Sequence, residues 1–279
     1  MKEIRLEIKK LLYSRGVQIV FFSFLLVAVL DPISVVLQDI SWEGNLIGEI
    51  GKNPFQFWLL LNSVSWGNHV YNTMFWVIAV LLTGQIFYQE QKSFMLTAQI
   101  VRIGKKPYFF HKIIATALVS FVSTAIILSI NVIVTLLLFR DWTAHSSYYN
   151  SLVPEIGTFA SALYQKSPIL MMFGYVLLNA VAIGIFAVFS LAVQTIFHFP
   201  NLYVAILSPV VILYLISFVL DAFPVLFHFN IRLLLQPMAA TALTEILSWE
   251  DLILTFGIWI AIDAFLILIG LRRNQEVMS

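Results

Sequence analysis

The chain opens with the residues MKEIRLEIKKLLYSRGVQIVFFSFLLVAVL (1–30), in which a charged half is followed at once by an apolar half. Five Lys and Arg residues lie within the first fifteen positions, and the apolar run that begins at Val17 continues to about Leu37. A helix needs about 20 apolar residues to cross the hydrocarbon core of a bilayer. This stretch therefore predicts a membrane-spanning helix that is preceded by a basic segment.

Five further stretches have the same continuously apolar character, which is typical of helices and not of the alternating strands of a membrane barrel. The segment Pro54 to Val64 is apolar but too short to span, so we expect an interfacial or re-entrant helix there. The chain is thus predicted to be all-α, a polytopic membrane protein with one transmembrane domain (1–279) and six spans: 17–37, 70–88, 113–139, 169–197, 202–220 and 252–271.

Composition points to the same class of protein. Hydrophobic residues make up 60% of the chain and charged residues 11%, which is far from the average soluble domain. The net charge of +1 gives no case for nucleic-acid binding, and the absence of cysteine excludes disulfides and thiolate metal sites. The five His residues show no metal-ligand spacing, so no metal site is expected.

Lys and Arg residues are distributed unevenly over the connections between the spans. Twelve lie at the N-terminus, between the second and third spans, and after the sixth; the other side holds only Lys52, Arg140, Lys166 and Arg232. Connections rich in Lys and Arg stay on the cytoplasmic side of a membrane. We therefore expect a multi-pass protein of the cell membrane with both termini in the cytoplasm.

Residues 1–16 have the pattern of an amphipathic helix. Ile4, Ile8, Leu11 and Leu12 fall on one face, while Lys, Arg and Glu occupy much of the rest. Such a helix lies in the headgroup layer, in contact with membrane lipid, before Gly16 lets the chain turn into the bilayer. A topology anchor without any further role is the alternative interpretation.

The connection between the second and third spans reads GQIFYQEQKSFMLTAQIVRIGKKPYFFHKII (84–114). It predicts a helix that continues past Glu90 and stops at Gly104, with Lys105-Lys106-Pro107 turning the chain back. Apolar side chains between Phe94 and Ile103 need the membrane surface or a partner protein to cover them.

The amphipathic N-terminal helix, the six spans and the acid just after the second span resemble the type-2 permease subunits of ATP-binding-cassette exporters. In that family the acid precedes a short coupling helix, a basic segment and a Lys that opens the third span. Phe94 to Val101 match the coupling helix by position, while Ser93 departs from the Gly that the family often has. The resemblance implies that coupling to an ATPase involves Glu90, Phe94, Met95, Leu96, Arg102 and Lys112.

The connection from Asp221 to Asp251 also resembles the family's outer feature between spans five and six, two short helices that dip back into the outer leaflet. It is long and apolar, and it is broken by Pro224 and Pro237. By analogy, an outer gate would be formed by Phe223, Phe227 and Phe229.

No G-x-x-x-x-G-K-[ST] phosphate loop occurs in the chain, so ATP hydrolysis is expected in another polypeptide and not in this one. The resemblance implies a soluble ATPase subunit that binds ATP and magnesium, and a second permease subunit, identical or homologous. Aromatic residues in the predicted outer loops suit a hydrophobic or amphipathic cargo, such as a peptide, a lipid or a drug-like molecule.

Polar residues inside the spans are candidates either for a substrate path or for helix packing. Asp263 lies near the middle of the sixth span, where an ionisable group is costly. Polar stripes along the third and fourth spans commonly mediate helix packing. Both interpretations stay open for Asp263, Trp259, Ser120, Thr124, Asn131, Asn179 and Gln194. In the first span, Asp31-Pro32 predicts a kink or the outer end of the helix.

Two other classes of protein remain as alternatives. A membrane-embedded enzyme would need paired carboxylates or a His cluster at membrane depth, and the spans offer only Asp263. A self-standing channel or secondary transporter usually shows internal repeats or several intramembrane charges.

Overall fold

The computed structural model describes residues 2–41, 53–63, 65–82, 84–93, 95–139, 142, 161–197, 199–237 and 248–276. The described residues form α-helices and one 3₁₀ helix (Pro224–Phe229), with no strand among them. The α-helices are α1 (Lys2–Tyr13), α2 (Arg15–Ser41), α3 (Trp66–Leu81), α4 (Gly84–Lys92), α5 (Met95–Ile103), α6 (Lys105–Leu138), α7 (Ser161–Lys166), α8 (Pro168–Ile196), α9 (Leu202–Ala222), α10 (Ile231–Leu234) and α11 (Trp249–Glu276).

Six helical stretches are long and apolar enough to cross a membrane, and each of them contains most or all of one predicted span. The prediction of an all-α chain with six membrane-length apolar helices is therefore confirmed for the described residues, and these helices suit a multi-pass membrane protein. The six stretches are Arg15–Gln38, Trp66–Lys92 (α3 followed by α4), Lys105–Leu138, Pro168–Ile196, Leu202–Ala222 and Trp249–Arg272.

Several helices begin with a residue that suits a helix N-terminus. The Ser65 side chain accepts a hydrogen bond from the Asn68 backbone N–H at the start of α3, and Asn201 does the same for Val204 in α9. Pro168 opens α8, where its missing N–H costs nothing.

The turn between α5 and α6 is tighter than predicted. The chain reverses at Gly104, whose φ of 87° favours glycine, and α6 begins directly afterwards at Lys105. The prediction that Lys105-Lys106-Pro107 form the turn is wrong, because Pro107 fits the first turn of a helix. As a result α6 has 34 residues and extends beyond the predicted span at its N-terminal end.

Helix α2 does not end at Asp31-Pro32 but continues through Pro32 to Ser41. The prediction of a helix end there is wrong. A proline inside a helix leaves the carbonyl four residues earlier without its usual donor. Here that carbonyl belongs to Ala28, and the Asn131 side chain on α6 donates to it at 2.8 Å. Tertiary contact therefore supplies the hydrogen bond that the proline removed.

Residues 53–63 form a series of buried turns and not the interfacial or re-entrant helix predicted for Pro54 to Val64. Most of their backbone hydrogen bonds lie within the segment, and Leu59 is bonded from outside it. The Leu59 N–H donates to Asn131 Oδ1 at 2.9 Å, and Asn68 Nδ2 donates to the Leu59 carbonyl at 2.7 Å. Irregular backbone can be buried where its polar groups are bonded, and Leu59 meets that condition here.

Helix α8 is the most buried of the membrane-length helices and packs against α3, α6, α9 and α11. An aromatic cluster joins three of these elements at its centre. Phe186 on α8 makes edge-to-face contacts with Trp76 on α3 and Trp259 on α11, at centroid distances of 4.5 and 4.8 Å. Trp259 also meets Phe189.

Two short helical segments follow α9, namely the 3₁₀ helix Pro224–Phe229 and α10. Phe223 is exposed and Phe229 is half-buried, whereas the side chain of Phe227 and residues 238–247 lie outside the described part of the chain. Insertion of these segments into the outer leaflet and their action as a gate stay predictions.

Candidate functional site

The candidate site lies at one end of the bundle, which we name the basic end. Helices α1, α4 and α5 meet the first turns of α6 there, and the Lys105 ammonium donates to the Leu271 carbonyl near the end of α11 at 2.5 Å. This end of the bundle therefore combines the N-terminal helix, the predicted coupling segment and the last turns of the sixth membrane-length helix.

A closed network of four charged side chains lies at the centre of the basic end. Lys112 Nζ on α6 is 2.9 Å from Glu7 Oε2 on α1 and 2.6 Å from Glu90 Oε2 on α4. Lys10 Nζ on α1 is 2.7 Å from Glu7 Oε1 and 3.2 Å from Glu90 Oε1. Each carboxylate thus bridges both ammonium groups, and we name the four residues the charge network.

The charge network is largely removed from solvent. Lys112 is 1% exposed, Glu90 is 4% exposed and Glu7 is 7% exposed, while Lys10 remains partly open. Burying a charge is costly unless ion pairs and hydrogen bonds compensate it. Two carboxylates and two ammonium groups balance each other here, and the Tyr108 hydroxyl donates a further hydrogen bond to Glu90 Oε2 at 2.6 Å.

The network shifts the pKa values of its two members on α1. Burial by itself would raise the pKa of Glu7, but the Lys112 and Lys10 ammonium groups outweigh it and hold the pKa below the ordinary value. Burial would likewise lower the pKa of Lys10, but Glu7 and Glu90 outweigh it and raise that pKa. Both groups are therefore held in their charged forms.

The inner face of α5 packs on an apolar cluster beside the network. Leu96, Ile100 and Ile103 are partly buried against Phe87 and its neighbours in that cluster, Tyr108, Phe109 and Leu191. Because Tyr108 also donates to Glu90, the apolar cluster and the charge network are joined through one side chain.

The outer face of α5 has a different character. Met95 is 53% exposed and Val101 is 82% exposed, and Ala98 lies between them on the exposed side together with Arg102. No residue of α5 is fully buried. We name Met95, Ala98 and Val101 the outer face of α5.

The residues that were predicted to couple the chain to an ATPase do not share one surface. Glu90 and Lys112 are buried and bonded within the chain, so their side chains are not available to a partner. Leu96 packs inward, Met95 points outward, and Arg102 lies 3.9 Å from Glu3 at the surface. Phe94 lies outside the described residues.

Two of the polar residues predicted to serve packing or a substrate path bind carbonyls that proline has freed. Asn131 binds the Ala28 carbonyl, four residues before Pro32. Gln194 on α8 donates to the Ala205 carbonyl at 3.2 Å, four residues before Pro209 of α9. In both cases an amide on a neighbouring helix replaces the backbone donor that the proline lacks.

Asn179 has a packing role of the same kind. Its Nδ2 donates to the carbonyls of Tyr175 and Leu235, and its Oδ1 accepts from the Tyr71 hydroxyl at 3.1 Å. It therefore joins α3 and α8 to Leu235, the residue that directly follows α10.

The remaining polar candidates are buried but make no comparable bonds. Within the described ranges, Ser120 Oγ, Thr124 Oγ1 and Asp263 Oδ1 have no hydrogen-bond partner. Trp259 belongs to the aromatic cluster between α8 and α11. No described hydrogen bond joins Asp263 to the polar residues of α6 or α8. A packing role and a place on a substrate path both stay predictions for these three side chains.

Asp31 has a structural role that sequence reasoning missed. Its Oδ1 accepts a hydrogen bond from the Gly67 backbone N–H at 3.0 Å, at the first turn of α3. A Cβ on Gly67 would lie 2.4 Å from that oxygen, so only glycine fits there. The carboxylate thus satisfies a free donor at a helix N-terminus.

Glu7, Lys10 and Tyr108 were also missed as site residues. The sequence placed Glu7 and Lys10 on the polar face of an interfacial helix, and no local signal distinguishes them from the other charged residues of α1. Only the docking of α1 on α6 determines which of its charges are buried.

Within the described ranges, no three His, Asp or Glu side chains lie close enough together to hold a metal ion. Comparison of the chain with protein-family models, with curated proteins and with solved structures gave no match.

Proposed function

We propose that this chain is the transmembrane subunit of an ATP-binding-cassette exporter, which moves a hydrophobic or amphipathic substrate out of the cell and is driven by a separate ATPase subunit. The observation that carries the proposal is the two-sided character of α5. Its inner face is packed on the bundle, while Met95 and Val101 leave apolar surface exposed at the end that carries the Lys-rich connections. Exposed apolar surface of this kind marks a contact site.

The contacts around α5 suit a part that transmits force. Helix α5 lies between α4 and α6, which are the ends of two membrane-length stretches, and Gly104 makes the connection to α6 short. Glu90 on α4 and Lys112 on α6 are paired at 2.6 Å. Because separating a buried ion pair is strongly unfavourable, a push on α5 would move α4, α6 and the docked α1 as one unit.

The proposed assembly contains two permease subunits and two ATPase subunits. ATP and magnesium would bind in the ATPase, since this sequence has no phosphate loop. Helices α2, α9 and α11 have little of their apolar surface buried within the chain. Such surfaces suit membrane lipid or a second permease subunit.

A hydrophobic or amphipathic cargo is consistent with the described interior. The amides of Asn131, Asn179 and Gln194 donate to backbone carbonyls of this chain. The aromatic cluster of Phe186, Phe189 and Trp259 supplies apolar surface that would suit an apolar part of the cargo.

The proposed contact between α5 and the ATPase can be tested by substituting residues on the outer face of α5. The chain is tagged in its native host, and the amount of phosphate-loop ATPase that co-purifies with it is compared between the wild type and Met95→Asp with Val101→Asp. A charge inside a buried apolar contact costs about 2–5 kcal/mol, so the affinity should fall by a factor of roughly 30 or more. Leu96 is left unchanged because it packs on the chain's own apolar cluster.

The matched control is Tyr13→Asp with Tyr203→Asp, which adds the same two charges at exposed positions of α1 and α9, outside α5. It should retain the ATPase. Equal retention by both double variants would place the contact elsewhere, and a complex in which ATP turnover never responds to this chain would refute the proposed function itself.

A further inference from the structure

An apolar groove lies on the side of α1 that faces away from the charge network. Helices α1, α2 and α6 enclose an open groove of about 320 Å³. Its walls are apolar except for Gln18 and Ser123. The side chains that form it include Ile8 and Leu12 of α1, Phe21 and Phe22 of α2, and Val122 and Ile126 of α6.

The position of the groove indicates what fills it. Helices α2 and α6 are membrane-length, and Phe22, Val122 and Ile126 are exposed beside the groove, so acyl chains border it in a bilayer. An apolar groove does not hold water well, and leaving it unfilled forfeits dispersion contacts along both walls. Its volume lies at the lower end of small-molecule sites, which span roughly 300–1,000 Å³. An acyl chain suits these walls.

Two cations border the same face of α1. Arg5 lies three residues before Ile8, and Lys9 three residues before Leu12, so each is a neighbour of a side chain that lines the groove. Lys9 also lines the cavity on the α5 side of α1. Both are exposed, and neither forms an ion pair with a described residue. Lys10, in contrast, is engaged in the charge network. Free cations at a membrane surface favour anionic headgroups.

We propose that this groove binds one anionic phospholipid, with an acyl chain between α2 and α6 and the phosphate beside Arg5 and Lys9. The lipid would hold α1 against α6 from the membrane side, while Glu7 and Lys10 hold it from the inner side. Ile8 lies next to Glu7, so loss of the lipid would weaken the support of the charge network. The proposed lipid site requires that the chain lie in a membrane, but it does not require the ATPase partner proposed above.

The test uses the full chain, reconstituted in nanodiscs of equal parts phosphatidylglycerol and phosphatidylcholine, with bound lipids counted by native mass spectrometry after mild extraction. The wild-type chain should retain one phosphatidylglycerol. Val122→Trp fills the groove and should lose it, and Ile126→Trp is a second variant with the same expectation. Val211→Trp, at an exposed apolar position of α9 away from the groove, should keep it.

The charges are tested separately. Arg5→Gln with Lys9→Gln should lower the preference for phosphatidylglycerol over phosphatidylcholine by about fivefold for each cation removed. Lys92→Gln with Lys106→Gln removes two exposed cations of the basic end outside the groove and should leave the preference unchanged. Retention of the lipid by both tryptophan variants, equal loss in Val211→Trp, or an unchanged preference in the first charge variant would overturn the proposal.

Discussion

Pro32 and Pro209 each remove a backbone donor from a membrane-length helix, and each is matched by a side-chain amide on another helix. Asn131 and Gln194 reach the two carbonyls that the prolines leave free. In hydrocarbon an unsatisfied carbonyl has no water to bind, so these amides determine which helices can be neighbours. The freed carbonyls explain why the side-chain amides of Asn131 and Gln194 are buried.

The pairing predicts that a proline and its amide partner are coupled in stability. Gln194→Leu leaves the Ala205 carbonyl without a donor and should destabilise the protein by about 1–3 kcal/mol. Pro209→Leu restores a backbone N–H, so the double variant should recover most of that loss. The measurement is thermal unfolding in detergent for the two single variants and the double variant.

The control for this cycle is Gln194→Leu combined with Pro168→Ala, because Pro168 opens α8 and frees no carbonyl. That combination should show no recovery. Additive effects of Gln194→Leu and Pro209→Leu would contradict the coupling.

At the scale of elements, the charge network joins the N-terminal helix α1 to α4 and α6, which are distant from it in the chain. Glu7 and Lys10 belong to α1, Glu90 to α4, and Lys112 to α6. A helix as short as α1 is marginal by itself in water, and its position here depends on docking. The network is therefore expected to control whether α1 stays attached.

The attachment of α1 should depend on pH in a defined window. The pKa of Glu7 is lowered, so its contribution is complete above about pH 4.5 and is lost as the pH falls through the folded-state value. The pKa of Lys10 is raised, so its contribution is complete below about pH 10.5 and is lost as the pH rises through its folded-state value. We expect α1 to be firmly docked between these limits.

A spin label attached at Tyr13→Cys reports the docking of α1 directly, because the chain has no other cysteine and Tyr13 is exposed. Its mobility should rise below about pH 4.5, as Glu7 protonates. In Glu7→Gln the label should already be more mobile at neutral pH, with a smaller acid transition. A label at Leu215→Cys on α9 serves as the control and should respond to neither change. Identical acid transitions with and without Glu7 would refute its role.

At the scale of the whole molecule, the membrane-length helices and the distribution of Lys and Arg lead to a topology. The basic end holds α1, the Lys-rich connection between α4 and α6, and the end of α11. The excess of Lys and Arg in these segments predicts that this end faces the cytoplasm.

The orientation can be measured with single cysteines in intact cells, since the chain contains none of its own. A cysteine at Lys106 should be protected from a membrane-impermeant thiol reagent until the cells are opened. Cysteines at Asn150 and Ala240, which lie outside the described residues, should react from outside. External labelling at Lys106 would reverse the orientation and place the outer face of α5 out of reach of a cytoplasmic ATPase.

The membrane-length helices and the end of a helix at Gly104 were predictable from sequence, because hydrophobic length and the glycine are local properties of the chain. The predicted continuous helix past Glu90 is instead two helices, α4 and α5. Glu90 and Lys112 were named from sequence only as coupling residues implied by the family resemblance, and their pairing with each other was not predicted. The buried turns of residues 53–63 were not predicted, since the contacts of Leu59 with Asn131 and Asn68 join it to other elements and are not local properties.

The sequence by itself determined what is apolar, how long each apolar run is and where the charges lie along the chain. Only the tertiary structure decided which charges are buried together and which buried amides serve which carbonyls. The physical reason is that a span requires about 20 apolar residues in a row, which is a property of one segment. An ion pair such as Glu7 with Lys112, or a bond from Gln194 to the Ala205 carbonyl, requires two segments to pack at one distance.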